Sequence, residues 1–349
     1  MTGVQTCALP IFRKKILRSI DLLVIDEVSM LRADLLDAID YRLKAVRNNF
    51  YQPFGGVQLL LIGDLHQLPP VVRRDEEALL KTWYRSPWFF EARSLNPETL
   101  VYIELDKIFR QQDETFIRIL NNLRNNKASA DDIIRVNKHY NPLLGPQDLK
   151  DTITLTTHNH QADEINQQAL EDLDAPPYYF NAKITGEFPE SMFPAAPNLV
   201  LKAGCQIMFI KNDGEDKKYY NGKLATITDI SSDAISVRME DSSTDYELKT
   251  SVWENKRFRL DESTHEIHED IIGTFEQYPI KLAWAITIHK SQGLTFDKAI
   301  IDPGKAFADG QIYVALSRLR TLEGLTLRSP LNPDRKSTRL NSSHIPLSR

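Results

Sequence analysis

Two adjacent carboxylates, Asp26 and Glu27, follow directly on the apolar run Leu22–Ile25, and Gly63-Asp64-Leu65-His66-Gln67-Leu68-Pro69-Pro70 comes soon after. In a site that hydrolyses nucleoside triphosphates, one carboxylate after a buried strand holds Mg²⁺ and its neighbour positions the attacking water. Asp26 and Glu27 suit those two roles, and Gln67 suits a sensor whose amide reports the γ-phosphate. Such a site also needs a loop of the form G-x-x-x-x-G-K-[ST], whose backbone amides cradle the phosphates and whose lysine reaches them. Nothing before Asp26 fits that pattern. Gly222-Lys223 runs into Leu224, Gly304-Lys305 runs into Ala306, and neither has the earlier glycine. The chain carries the magnesium-and-water half of a site without its phosphate cradle.

The surrounding pattern shows how these groups are positioned. Leu22–Ile25 reads as a short strand buried on both faces of a parallel sheet. Leu35, Ile39, Leu43 and Val46 then recur at helical spacing, Gly55-Gly56 breaks the chain, and residues 57–62 form the next apolar run. Strand, helix and strand with short connections predict an α/β fold. Both polar clusters then leave the carboxyl ends of strands, the edge where open α/β sheets bind ligands. A second alternating region begins near Arg110, with a strand predicted at 152–156 and a helix at 160–173 carrying Asp163 and Glu164 in its first turn. From 213 to about 274 the texture becomes β-rich, with a hairpin signal at Asn221-Gly222. The α/β texture resumes near Ile280 and ends in a helical stretch at 311–320.

The 349 residues suffice for two or three domains. No apolar run approaches the roughly 18 residues a membrane helix needs. The net charge of −5 does not advertise a nucleic-acid binder, whose usual footprint is a basic stripe. Two cysteines, Cys7 and Cys205, form no framework and indicate a reducing, intracellular setting. The ends, 1–11 and 334–349, resemble translated adapter sequence, which makes the native segment about 12–333 a fragment. His265-Glu266-Ile267-His268 has one residue too few for H-E-x-x-H, so metal other than nucleotide-bound Mg²⁺ is not expected.

Several stretches together carry a family resemblance. Val24-Ile25-Asp26-Glu27-Val28-Ser29-Met30 and Gly63-Asp64-Leu65-His66-Gln67-Leu68-Pro69-Pro70-Val71 resemble motifs II and III of the Pif/RecD-type DNA helicases of superfamily 1. Ile108-Phe109-Arg110-Gln111 is similar to motif IV, the stretch from Ala285 to Asp297 containing His289-Lys290-Ser291-Gln292-Gly293 to motif V, and Gln311 to Arg318 to motif VI. The resemblance covers nearly all of the native segment, while motif I is missing.

It implies two RecA-like domains with ATP and Mg²⁺ bound in the cleft between them: a truncated first domain at 12–109, a second at 110–213 and 274–333, and a small SH3-like β insert at 214–273. It further implies that Asp26 holds Mg²⁺, that Gln67, Arg110, Gly293 and Arg318 join the nucleotide site, and that the two arginines reach the γ-phosphate with forks of donors. A single-stranded DNA track would use His66, Pro70, Thr157, His158, Asn159, His289, Ser291 and Gln292. Lys217, Lys218, Tyr219 and Tyr220 at the entry to the insert are further candidates, whereas Trp83, Trp88 and Phe89 read as core or interface aromatics. The function implied is ATP-driven 5′-to-3′ translocation and unwinding by a monomer acting on single-stranded DNA and duplex junctions, with the isolated chain inactive for want of the phosphate loop. The alternative is a non-catalytic nucleic-acid-binding protein that lost nucleotide turnover. A ring-forming ATPase is a third reading, which Arg318 in a second domain of the same chain argues against.

Overall fold

The structure, a computed structural model, describes residues 11–144, 152–214, 218–239, 242–260, 267–305 and 310–332. The adapter-like ends up to Pro10 and from residue 333, Lys217, and His265-Glu266 lie outside them. Two compact units emerge, the first built on the chain up to Lys107 and the second on Ile108–Lys256 and the chain from Ile271. Among the described residues, no helix is long and apolar enough to cross a membrane.

In the first unit, β1 (Leu22–Ile25) pairs in parallel with β2 (Gln58–Leu61), Leu22 opposite Gln58 and Ile25 opposite Leu61. Between them runs α2 (Ala33–Arg47), which follows α1 (Ile11–Ser19). The buried line on α2 is Leu36, Asp40, Leu43 and Val46, one residue along from the start of the predicted stripe; Leu35 is 50% exposed. Leu36 and Leu43 pack with Phe54 and Val57 against Leu23, Ile25, Leu59 and Leu61, the inner face of the strand pair. The helix stops at Asn48, which takes left-handed backbone angles as its C-cap.

The opposite face of this pair departs from the expectation of burial on both sides. Leu22, Val24, Leu60 and Ile62 are 47%, 49%, 46% and 43% exposed. Side chains alternate across a strand, and among the described residues α2 covers one face alone. A third helix, α3 (Arg74–Trp83), follows β2. Trp83 at its end is 57% exposed under the Arg93 guanidinium, so it is not a core aromatic; Phe89 is buried, and Trp88 stacks on Phe90.

The second unit contains α4 (Glu114–Arg124), α5 (Ala130–Asn137) and a parallel sheet. That sheet joins β3 (Ile153–Thr156), β14 (Ala285–Thr287), β15 (Ala299–Ile301) and β16 (Leu325–Leu327) in the order β14-β3-β15-β16. All its strand pairs are parallel, which confirms an α/β fold. After β3 comes α6 (Asn159–Glu171). It begins one residue earlier than predicted, so its first turn holds no acid and Asp163 and Glu164 fall in the second. The predicted helix at 311–320 is shorter, α7 (Gln311–Leu316), and closes in turns.

Strand β4 (Tyr178–Asn181) pairs with β6 (Asn198–Leu201), and β5 (Lys183–Gly186), β11 (Ser251–Leu260) and β12 (Ile267–Gln277) form a three-stranded sheet. The rest of the β-rich part is a five-stranded antiparallel sheet. It contains β8 (Leu224–Ile230), β9 (Ile235–Met239) and β10 (Tyr246–Glu247), and it takes in β7 (Gln206–Phe209) and β13 (Ile280–Leu282) from either side of 214–273. Its core includes Ile207, Phe209, Ile227, Ile235, Val237 and Ile280. Gly222 has φ +96°, and its amide donates to the Phe209 carbonyl, so Asn221-Gly222 is a turn within the longer β7–β8 connection.

Candidate active site

The two polar clusters of the first unit meet at the carboxyl ends of β1 and β2. The Ile62 amide donates to the Ile25 carbonyl (2.9 Å), and the Val28 amide donates to the Ile62 carbonyl (3.0 Å). Asp26-Glu27 and Gly63-Asp64 therefore leave adjacent strands side by side. Gly63 allows this close approach: a Cβ there would lie a tight 3.0 Å from the Val28 nitrogen and 3.1 Å from its side chain. Glu27 holds left-handed angles, φ 50° and ψ 42°, which cost a non-glycine residue about 1–3 kcal/mol and cluster at functional sites. Its amide donates to Asp26 Oδ1 (2.8 Å), which fixes the exposed Asp26 carboxylate beside it.

A second Asx contact orders the following loop. Asp64 Oδ1 accepts from the His66 amide (3.0 Å), His66 Nδ1 lies 3.3 Å from the same oxygen, and the Gln67 amide donates to the Asp64 carbonyl (2.9 Å). Leu68 is fully buried and anchors the loop, leaving His66 and Gln67 half-buried above it. Pro70 is buried, which leaves it no open face for stacking. Among the described residues no group of three His, Cys, Asp or Glu side chains is placed to hold a metal. The exposed Asp26 carboxylate at the end of β1 fits Mg²⁺ arriving with a nucleotide, since Mg²⁺ takes one or two carboxylates plus phosphate oxygens and water.

In the second unit, two arginines far apart in sequence converge on one serine. Arg110 Nη1 donates to the Ser317 carbonyl (3.0 Å), and Arg318 Nη2 donates to the Ser317 hydroxyl (3.0 Å). Arg318 Nε also donates to the Val314 carbonyl (3.1 Å), and the residue is 3% exposed. Buried Gln111 fixes the arrangement by donating to the carbonyls of Ser317 (3.1 Å) and Leu319 (2.8 Å). The Phe296 amide donates to the Arg318 carbonyl (2.9 Å), tying in the segment after Gly293, itself exposed at φ +77°.

The remaining candidates share the carboxyl edge of the parallel sheet. Thr287 pairs with Thr156, and the Ile288 amide donates to the Thr156 carbonyl (2.8 Å), so the turns after β3 and β14 are neighbours. His158 and Asn159 are exposed, and His289 and Gln292 are half-buried. Burial holds the His289 imidazole below its ordinary pKa, which keeps it neutral at physiological pH. Two candidates turn inward. Ser291 is fully buried and donates to the Ile288 carbonyl (2.7 Å), while Thr157 is 7% exposed and contacts His158 Nδ1 (2.9 Å). The Ser291 hydroxyl closes its own turn, whereas the Thr157 hydroxyl is taken up by the side chains of His158 and Gln161 (3.3 Å). Tyr219 is also internal, stacked on Phe209 at 3.9 Å, whereas Tyr220 is 54% exposed.

The chain as a whole has known relatives. The family model described as PIF1-like helicase matches residues 6–132. Pif1 of Campylobacter jejuni is 31% identical over 322 residues, covering 87% of this chain and 68% of that protein. Among solved structures, Bacteroides sp. Pif1 in complex with ADP-AlF4 superposes with a TM-score of 0.83 at 36% identity, over 97% of this chain and 77% of that one. The chain belongs to the PIF1-like helicase family. Human ATP-dependent DNA helicase PIF1 is 32% identical over 310 residues, or 87% of this chain and 45% of that protein. The chain thus spans less than half the length of that relative. Bacteroides Pif1 bound to single-stranded DNA matches at a TM-score of 0.65 and 38% identity, over 92% of this chain and 74% of that one.

Within this family site, sequence reasoning passed over three residues. Ser317 lay inside a quoted motif but had no role until both guanidinium groups were seen to meet on it. Gln111 followed Arg110 directly and looked like a bystander; its amide donates across more than two hundred residues of chain. Ser29 is fully buried beside Asp26-Glu27, with no hydrogen-bond partner for its hydroxyl among the described residues. Its adjacency to the acidic pair was the available signal.

Proposed function

We infer that this chain is motor machinery of an ATP-dependent DNA helicase, translocating 5′ to 3′ on single-stranded DNA and opening duplex junctions as a monomer. The observation that carries this reading is the parallel pair β1–β2 placing Asp26-Glu27 and the Gly63–Gln67 loop on one carboxyl edge. Naming of relatives as ATP-dependent DNA helicases, and solved forms with ADP-AlF4 and with single-stranded DNA, support it. In this reading 12–109 belong to a first RecA-like domain, 110–213 and 274–333 to a second, and 214–273 to an SH3-like insert.

When bound, Mg²⁺ supplies charge neutralisation for the phosphates of ATP. Asp26 offers the carboxylate that holds it. Glu27 orients the attacking water and accepts its proton, and Gln67 senses the γ-phosphate. Arg110 and Arg318, gathered on Ser317 and tied through the Phe296 amide to the segment after Gly293, offer the γ-phosphate two always-charged donor forks. His66, His158, Asn159, His289 and Gln292 line the strand track, while Pro70, Thr157 and Ser291 shape the turns that carry them. The 349 residues contain no phosphate-cradling loop, so they bind single-stranded DNA but turn over negligible ATP unaided.

The test joins the chain to the phosphate-loop-bearing stretch of a solved relative and offers it duplexes with single-stranded tails. Unwinding of the 5′-tailed duplex and not the 3′-tailed one is expected; the reverse preference, or none, refutes the polarity. Failure of the joined chain to bind oligo-dT would instead favour a protein with no motor role.

A further inference from the structure

A groove of about 330 Å³ lies in the second unit, between one face of α6, the strand β6 (Asn198–Leu201), and the run from β13 into the turn after β14. Its lining combines an apolar floor, including Leu199 and Leu282, with Lys281, Lys290 and a single acid, Asp163. Strand alternation explains how a lysine comes to sit there. Ile280 is fully buried in the core of the five-stranded sheet, so Lys281, next along β13, turns to the opposite side.

Lys281 is half-buried, and its pKa is pushed down by that burial and by the like charge of Lys290. Among the described residues neither ammonium is paired with a carboxylate, and Asp163 forms no ion pair with either. One half-buried ammonium on an apolar floor, with a second, exposed one at the groove's rim and no counter-ion, is costly, and an anion would relieve it. Lysine binds phosphate as a point charge, without needing the planar match that arginine makes.

The location narrows the anion. Asn159 and Thr287 also line the groove, and they sit where α6 and the turn after β14 begin, at the carboxyl edge of the parallel sheet. That is the edge carrying His158, His289 and Gln292. We propose that this groove is a phosphodiester-binding subsite, in which Lys281 and Lys290 grip the backbone of single-stranded DNA as it leaves the sheet edge and the leucine floor takes the sugar and base. The proposal rests on the DNA-binding reading above and adds to its strand track two cations, Lys290 within the stretch similar to motif V and Lys281 outside every such stretch.

The experiment measures binding of labelled oligo-dT to the full 349-residue chain across a series of KCl concentrations. Lys281→Met keeps the aliphatic stem, and Lys290→Met lies on an exposed turn, so both variants leave the fold in place. Each is expected to reduce the slope of log K against log salt by about 0.7, the contribution of one single-strand phosphate contact. Asp163→Asn should tighten binding, and Lys127→Met, on a distant exposed loop, should leave the slope alone. Oligo-dT binding with an unchanged slope in both groove variants overturns the subsite and leaves the DNA-binding reading standing. A slope lowered equally by Lys127→Met overturns it as well, as does competition by inorganic phosphate at the lysines without any change in the DNA slope. No oligo-dT binding by the unsubstituted chain overturns both ideas.

Discussion

Gln111 is the clearest place to perturb the arginine cluster without touching an arginine. Replacing it with leucine keeps the volume and removes two hydrogen bonds, to Ser317 (3.1 Å) and Leu319 (2.8 Å). Each such bond contributes about 1 kcal/mol net, and a buried carbonyl left without a donor costs about 1–3 kcal/mol. The Ser317 carbonyl keeps the Arg110 donor at 3.0 Å, so the Leu319 carbonyl bears most of the loss. The expected destabilisation is about 2–3 kcal/mol. A chain with two compact units need not unfold in one step, so a single melting curve would blur the effect. Native-state hydrogen exchange at the amides of β3, β14 and β15 reads the second unit alone. Protection there should fall about 30-fold to 150-fold, since about 1.4 kcal/mol corresponds to tenfold. A fall of less than about threefold would show that Gln111 does not fasten Arg110 to the Ser317 turn, and the energetic argument would be wrong.

Other consequences follow from the same geometry. Gly63→Ala should cost about 1–3 kcal/mol by forcing a Cβ against Val28, visible as a drop of about 4 °C or more in the melting of the first unit; an unchanged melt would mean the two loops are not packed as described. Arg318→Lys, in the chain joined to a phosphate-loop stretch, should lower DNA-stimulated ATP turnover by about 10³-fold because the fork of donors is lost, and near-normal turnover would remove Arg318 from the site. Because the folded chain depresses the His289 pKa, the unfolded chain takes up that proton first. Stability from this group is therefore complete above about pH 6.5 and declines as pH falls below it; an imidazole titration midpoint at or above that value, read by NMR, would contradict the burial argument.

Strand-end chemistry was legible in the sequence because it depends on short-range order. A buried run followed by acids places those acids at a sheet edge whatever the rest of the chain does. The exposed outer face at Leu22 and Val24 was not legible, since an apolar run reports what a strand can bury and not which layers are present to bury it. The same limit appears in α2, where sequence spacing found the helix but began its stripe one residue early. Asp40 takes a place on the buried line because it accepts the Phe54 amide at 2.6 Å, and no apolar count registers that bond. Thr157 and Ser291 read as donors for a strand because hydroxyls at strand ends often are; Ser291 instead closes its own turn, and Thr157 is taken up by neighbouring side chains. Ser317 could emerge only in three dimensions, where Arg110 and Arg318 arrive from opposite ends of the second unit.

The central claim is that Asp26-Glu27 is the water-activating pair of a DNA-driven motor. It is tested most directly by phosphate release from ATP in the presence of oligo-dT, using the chain joined to a relative's phosphate-loop stretch, with and without Glu27→Gln. The account predicts DNA-stimulated turnover that this one substitution lowers by about 10²–10⁴-fold, the usual contribution of a positioned general base, while oligo-dT binding is retained. Turnover that survives Glu27→Gln at the unsubstituted rate would contradict it.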